Sequence, residues 1–163
     1  MSLSARLRNC RGVLVDSNIL LDIATNDEKW GEWSGSTLAE CAEHSTLIIN
    51  PIIYAEVSVG YSTIEALDAA LPRVVYQREP LPWEAGFLAG KCFLTYRRRG
   101  GPRQTPLPDF YIGAHAAIGN LALLTRDAAR YQTYFPKVEI LSSSACSIRV
   151  NKADSSVANQ RHE

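Results

Sequence analysis

Short, unbroken aliphatic runs separated by helix-start and helix-stop signals recur along this chain, and few folds are open to such a pattern. Gly12-Val-Leu-Val-Asp16, Thr46-Leu-Ile-Ile49 and Leu121-Ala-Leu-Leu-Thr125 read as buried strands, with weaker candidates at Arg73-Val-Val-Tyr-Gln77 and Lys137-Val-Glu-Ile-Leu141. Thr25-Asn-Asp-Glu28 and Ser62-Thr-Ile-Glu65 have capping-box spacing, and Pro51, Pro82 and Pro108 each stand at a helix start. Gly60 and Pro72 are the matching stops. Strands alternating with helices predict βαβ units: an α/β fold with a parallel sheet and helices on both faces.

At 163 residues the chain has the length of one domain, and 46% hydrophobic with 21% charged residues is a globular composition. No apolar run approaches the ~20 residues that span a bilayer, and Met1–Gly12 lacks the apolar core of a secretion signal. A cytoplasmic location is expected. Cys10, Cys41, Cys92 and Cys146 are scattered, which excludes a CxxC redox motif or zinc ribbon and suits free thiols. His44, His115 and His162 are equally dispersed. The 17 basic and 17 acidic side chains cancel, so any attraction for a polyanion must come from a local patch. A domain is expected over residues 1–141, followed by a Ser-rich flexible tail over 142–163.

In an open α/β sheet the ligand crevice lies beyond the carboxyl ends of the strands. Asp16 ends the first run and Asp127 follows the Leu121–Leu124 run by two residues, so both should reach that edge. Each is also a fair helix N-cap. Glu56 is less easily explained. With Asn50 as cap and about 100° per residue, it falls between Ile52 and Ile53 in a stripe shared with Val57 and Val59. A carboxylate on that side is costly without a partner, and a cation is expected near it. Asp109, on the helix begun by Pro108, shares a face with Ile112, Gly113 and Ala116, and no Lys or Arg occurs from Asp109 to Asn120. Favourable interaction with the helix dipole, about 0.5 kcal/mol, is its alternative explanation.

Four acids from four segments, if they converge, repel one another unless a hard divalent ion with oxygen ligands lies among them. Magnesium or manganese suits such a set, and the corresponding chemistry is metal-assisted phosphodiester hydrolysis.

At these residues the chain resembles a known family. Val13-Leu-Val-Asp-Ser-Asn-Ile-Leu-Leu-Asp22, Asn50-Pro-Ile-Ile-Tyr-Ala-Glu56, Leu107-Pro-Asp-Phe-Tyr-Ile-Gly-Ala-His-Ala-Ala117 and Leu123-Leu-Thr-Arg-Asp-Ala-Ala-Arg-Tyr131 are similar, in order and spacing, to the acidic motifs of PIN-domain ribonucleases. The VapC-type toxins of type II toxin–antitoxin pairs are the most similar group. The resemblance covers residues 12–141. It implies an α/β/α sandwich with a mostly parallel sheet of about five strands, and a magnesium-dependent endoribonuclease in which manganese can substitute. It further implies a homodimer held inactive by a cognate VapB-type antitoxin. Asp16, Glu56, Asp109 and Asp127 carry over as the catalytic, metal-holding quartet, with Ser17, Asn18 and Thr125 as polar neighbours.

Arg97, Arg98, Arg99 and Arg103 fall within seven residues around Gly100-Gly101-Pro102, just before the Asp109 helix. Arginines there can meet RNA phosphates and bases, with the glycines leaving the loop free to adapt; offsetting a helix dipole is their alternative use. Trp30, Trp33, Leu38, Ala39, Cys41 and Ala42 suggest an amphipathic helix that packs on the sheet or, by resemblance, helps receive the antitoxin. A haloacid-dehalogenase-type phosphatase needs a second carboxylate where Asn18 stands, and a receiver domain needs paired acids at its first strand. A catalytically silent module that binds RNA or antitoxin is the remaining alternative.

Overall fold

The computed structural model describes residues 1–104 and 107–143; from residue 144 the expected tail lies outside the described residues. Helix α1 (Leu3–Leu7) leads into β1 (Val13–Val15), α2 (Ser17–Ala24), α3 (Gly31–His44) and β2 (Leu47–Ile49). Then come α4 (Pro51–Ser58), α5 (Ile64–Ala70), β3 (Tyr76–Arg78), α6 (Trp83–Arg98), α7 (Pro108–Gly119), β4 (Ala122–Leu124), α8 (Ala128–Tyr134) and β5 (Ile140–Leu141).

The five strands form one sheet in the order β3-β2-β1-β4-β5, and every pairing is parallel. Leu14 registers with Ile48 on one side and Leu123 on the other. The three central strands are buried at every position, which is why they read as unbroken apolar runs. The chain steps outward from β1 to β3, then crosses back to β4. Right-handed crossovers in opposite directions must lie on opposite faces, so α2–α5 cover one face and α6–α8 the other. The reversal makes the carboxyl ends of β1 and β4 a topological switch point.

Several local expectations shift. The capping box at Thr25 does not form: Thr25 closes α2 with its hydroxyl donating to the Leu21 carbonyl. The Asp27 carboxylate instead receives the Lys29 and Trp30 amides ahead of α3. The cap of α5 is Thr63 rather than Ser62. β3 begins three residues later than its run, because the Val75 and Tyr76 amides both turn back to the Pro72 carbonyl and leave Val74 95% exposed. β5 is confined to its last two residues. In α3, Leu38 and Cys41 are buried as expected, but Ala39 and Ala42 face solvent and Ser34 takes the inner position. Ser34 donates to the buried Asp22 carboxylate at 2.8 Å, which explains a hydroxyl there. The small face of α7 is a packing requirement: a Cβ on Gly113 would lie 2.2 Å from the buried Phe135 ring.

Candidate active site

Asp16 is the first residue past β1, and it combines both functions expected of it. Its backbone is extended and its Oδ1 accepts the Ser17 amide at 2.8 Å, starting α2. Its Oδ2 lies in the crevice and accepts the Thr125 hydroxyl at 2.8 Å and the Tyr131 phenol at 3.0 Å. Asp16 is only 4% exposed. That burial pushes its carboxyl above the usual carboxylate range, and the nearby Asp109 charge adds to the rise, against the pull of the hydroxyls and the amide.

Glu56 is placed by α4, whose start is set by Pro51 and by the Asn50 side chain accepting the Ile53 amide at 2.9 Å. Its partner is a hydroxyl rather than the cation expected: Ser17 Oγ donates to Oε1 at 3.1 Å. Burial raises this carboxyl too, reinforced by the charges of Asp16 and Asp109. Val59, expected in the same stripe, is 88% exposed because the helix ends at Ser58 and the chain turns away.

Asp109 occupies the first turn of α7. The missing basic partner comes from another helix: Arg130 Nη1 on α8 donates to Oδ2 at 2.7 Å. The Tyr131 phenol stands 3.4 Å from its Oδ1. Two hydroxyls therefore connect three carboxylates, Ser17 between Asp16 and Glu56, and Tyr131 between Asp16 and Asp109. Burial and the three surrounding negative charges push the Tyr131 phenol far above its ordinary range, so it remains a hydrogen-bond donor. Asp127 is close in the chain, its amide donating to Thr125 Oγ1 at 3.1 Å. Its side chain, however, is exposed and makes no capping hydrogen bond to α8.

Ser17, Asn18 and Thr125 all belong to this network. Asn18 donates to Thr125 Oγ1 at 3.2 Å and accepts the Arg126 amide at 3.2 Å, joining the ends of β1 and β4. Thr125 is fully buried and Ser17 nearly so, which makes them supports of the acids. The arginine cluster stands at the carboxyl end of α6 and just beyond it. Arg97 Nη1 donates to the Arg103 carbonyl, while Arg99 lies over the Tyr134 ring, 5.6 Å from its centroid. Tyr134 meets Phe110, the neighbour of Asp109, edge to face at 5.1 Å. The glycines are not there for freedom of movement. Gly100 has φ of 87°, and a Cβ on Gly101 would lie 2.2 Å from the Tyr96 ring, so both make a tight turn.

Tyr131 and Arg130 were not singled out by the sequence reading, although both stand within the fourth quoted motif. A tyrosine three or four residues into a short helix carries no mark of its partners. One hollow, about 330 Å³, is lined by Ile49, Asn50, Tyr54, Arg73 and Arg78 among others, and by none of Asp16, Glu56, Asp109 and Asp127.

A family model for the PIN domain matches residues 13–136. The chain belongs to the PIN domain family. Members of this family are typically nucleases and generally use divalent metals. The PIN domain described here is similar in structure to VapBC2 from Rickettsia felis bound to a promoter DNA fragment, with TM-score 0.61 and 18% identity over 80% of this chain and 97% of that one. It is also similar to VapBC-1 from nontypeable Haemophilus influenzae, with TM-score 0.61, 21% identity and 80% and 96% coverage. FitAcB from Neisseria gonorrhoeae gives TM-score 0.57, 16% identity and 80% and 96% coverage. No curated protein sequence matches the chain significantly. No helix among the described residues is long and apolar enough to cross a membrane.

The donors of the crevice suit a hard ion, since Asp16, Glu56 and Asp109 offer only oxygen. Among the described residues no three acids, histidines or cysteines are close enough to enclose a metal directly. Magnesium does not require that, because it keeps several waters and commonly takes one or two carboxylates.

Proposed function

We propose that the protein is a magnesium-dependent endoribonuclease acting as the toxin of a VapBC-type pair, with manganese able to substitute. The observation that carries this reading is the convergence of Asp16, Glu56 and Asp109, from three distant segments, onto two bridging hydroxyls at the switch point of the sheet. Asp16, Glu56 and Asp109 would hold the ion, with Asp127 at the rim completing the quartet. When bound, the ion supplies Lewis-acid polarisation of the phosphoryl oxygen and lowers the pKa of a water. Ser17, Thr125 and Tyr131 hold the Asp16 and Glu56 oxygens in place, and Asn18 joins the two strand ends beneath them. The toxin assignment, a VapB-type antitoxin and a homodimer are proposed from the resemblance, supported by similarity to structures described as VapBC and toxin–antitoxin complexes.

The test is cleavage of total RNA with magnesium, with manganese and with a chelator. Cleavage that requires the divalent ion supports the reading, and intact RNA under all three conditions sinks it. A silent module is the competing reading, favoured by the Arg130 guanidinium already pairing with Asp109 and by the exposure of Asp127. It predicts binding without cleavage.

The arginine cluster is proposed to bind RNA phosphates at the rim. Replacing Arg97, Arg98 and Arg99 together by alanine is expected to weaken RNA binding and reduce the slope of log Kd against log salt by about 2, at ~0.7 per lost phosphate contact on single strands. Filter binding at several salt concentrations measures it; an unchanged slope would show that these arginines do not touch the backbone.

A further inference from the structure

We infer that Arg130 is a resident counter-cation of the acidic crevice, paired with the Asp109 carboxylate in competition with a divalent ion. The inference rests on the metal-dependent reading above and adds to it a residue that sets the affinity of the site. Among the described residues, Arg130 makes the only salt bridge to any of Asp16, Glu56, Asp109 and Asp127. It reaches Oδ2 of Asp109 at 2.7 Å, whereas the Tyr131 phenol is 3.4 Å from Oδ1. The guanidinium is therefore the dominant partner of that carboxylate.

The form of the contact distinguishes it from the structural arginines of this protein. Arg11 grips Glu79 with both Nη atoms and is tied to the Gly119 carbonyl by Nε. Arg78 bonds the Asp68 carboxylate and the Leu71 carbonyl together. Arg130 uses Nη1 alone, with one acceptor among the described residues, and its side chain is 41% exposed against 28% for Asp109. A single-point ion pair open to water is weakly held and is exchanged readily. Tyr131, the next residue, is buried and anchored on Asp16, so α8 stays in place when Arg130 swings away. The helix thus presents one fixed hydroxyl and one removable positive charge to the same crevice. The guanidinium offsets carboxylate repulsion at Asp109, and a divalent ion would compete with it for that carboxylate.

The experiment is calorimetric titration of the full chain with Mn²⁺. Arg130→Ala and Arg130→Gln are expected to bind the ion about 1.5-fold to fivefold more tightly than wild type, the range of a surface ion pair expressed as affinity. Arg126→Ala removes the same charge nearby, but Arg126 pairs with Asp22, so a smaller change is expected there. In an Asp109→Asn background the Arg130 substitutions should lose their effect, since the pair is already broken. Unchanged or weaker Mn²⁺ binding in both Arg130 variants, with wild type binding normally, overturns the inference alone. An equal gain from Arg126→Ala, or a gain that persists in Asp109→Asn, overturns it too, leaving only general electrostatics. Absence of binding by every variant removes the inference and the metal reading together.

Discussion

Asp16→Asn is expected to reduce divalent-dependent RNA cleavage by roughly a thousandfold, the several kcal/mol that a metal's charge contributes at a phosphoryl centre. Asparagine keeps the Oδ1 that accepts the Ser17 amide, so α2 retains its cap and the fold persists. It loses the anionic Oδ2 on which the Thr125 and Tyr131 hydroxyls converge. The two effects separate in the pH dependence of stability. Burial raises the Asp16 carboxyl in the native protein above its value in the unfolded chain. Between those two values the native state binds more protons, so metal-free stability falls as pH rises through the window. The substituted amide titrates nothing. In chelator, the melting temperature of the variant relative to wild type should therefore climb as pH goes from about 4 to neutrality. A difference that is flat across that range, or wild-type cleavage by the variant, contradicts the assignment of Asp16.

Asn50→Ala should produce the largest loss of stability among the polar residues, about 2–4 kcal/mol, from a lost cap and a buried group left unpaired. Asn50 is 2% exposed; Oδ1 caps α4, which leaves Nδ2 to meet His115 Nδ1 at 3.0 Å. An amide nitrogen can only donate, so Nδ1 is the acceptor and the ring proton sits on Nε2, toward Glu79 at 3.4 Å. Burial holds His115 below its ordinary value, in keeping with a neutral ring. Alanine removes the cap of the helix that carries Glu56 and strands the ring nitrogen at once. A melting temperature lower by roughly 5–15 °C is expected for a chain of this length. Cleavage should fall as well, because the start of α4 sets where Glu56 stands. A fall of less than about 2 °C would mean that the cap and the histidine contact are both replaced by water.

What the residues revealed in advance follows from how locally each property is decided. β1, β2 and β4 were legible because strands buried on both faces need continuous apolar runs, and no turn competes within Val13–Val15, Leu47–Ile49 or Ala122–Leu124. The edge was harder. The Pro72 carbonyl captures two amides, so β3 starts three residues into its run, on Tyr76-Gln-Arg78, where only Tyr76 is buried. At Thr25 a capping pattern lost to a helix end, since the same hydroxyl can also bond backward to the Leu21 carbonyl. Ala39 and Ala42 read as part of an apolar face yet meet solvent, because alanine fits either side of a helix.

The order of strands and helices and the placing of Asp16 at a strand end were written in the one-dimensional pattern, because alternation, capping and apolar runs act between near neighbours. So was the inward lean of Glu56, through helical periodicity. The pairing of Asp109 with Arg130, the hydroxyl bridges of Ser17 and Tyr131 and the exposure of Asp127 were decided only by packing. Those contacts join residues tens of positions apart, and a partner brought by another helix leaves no trace in the residues beside it.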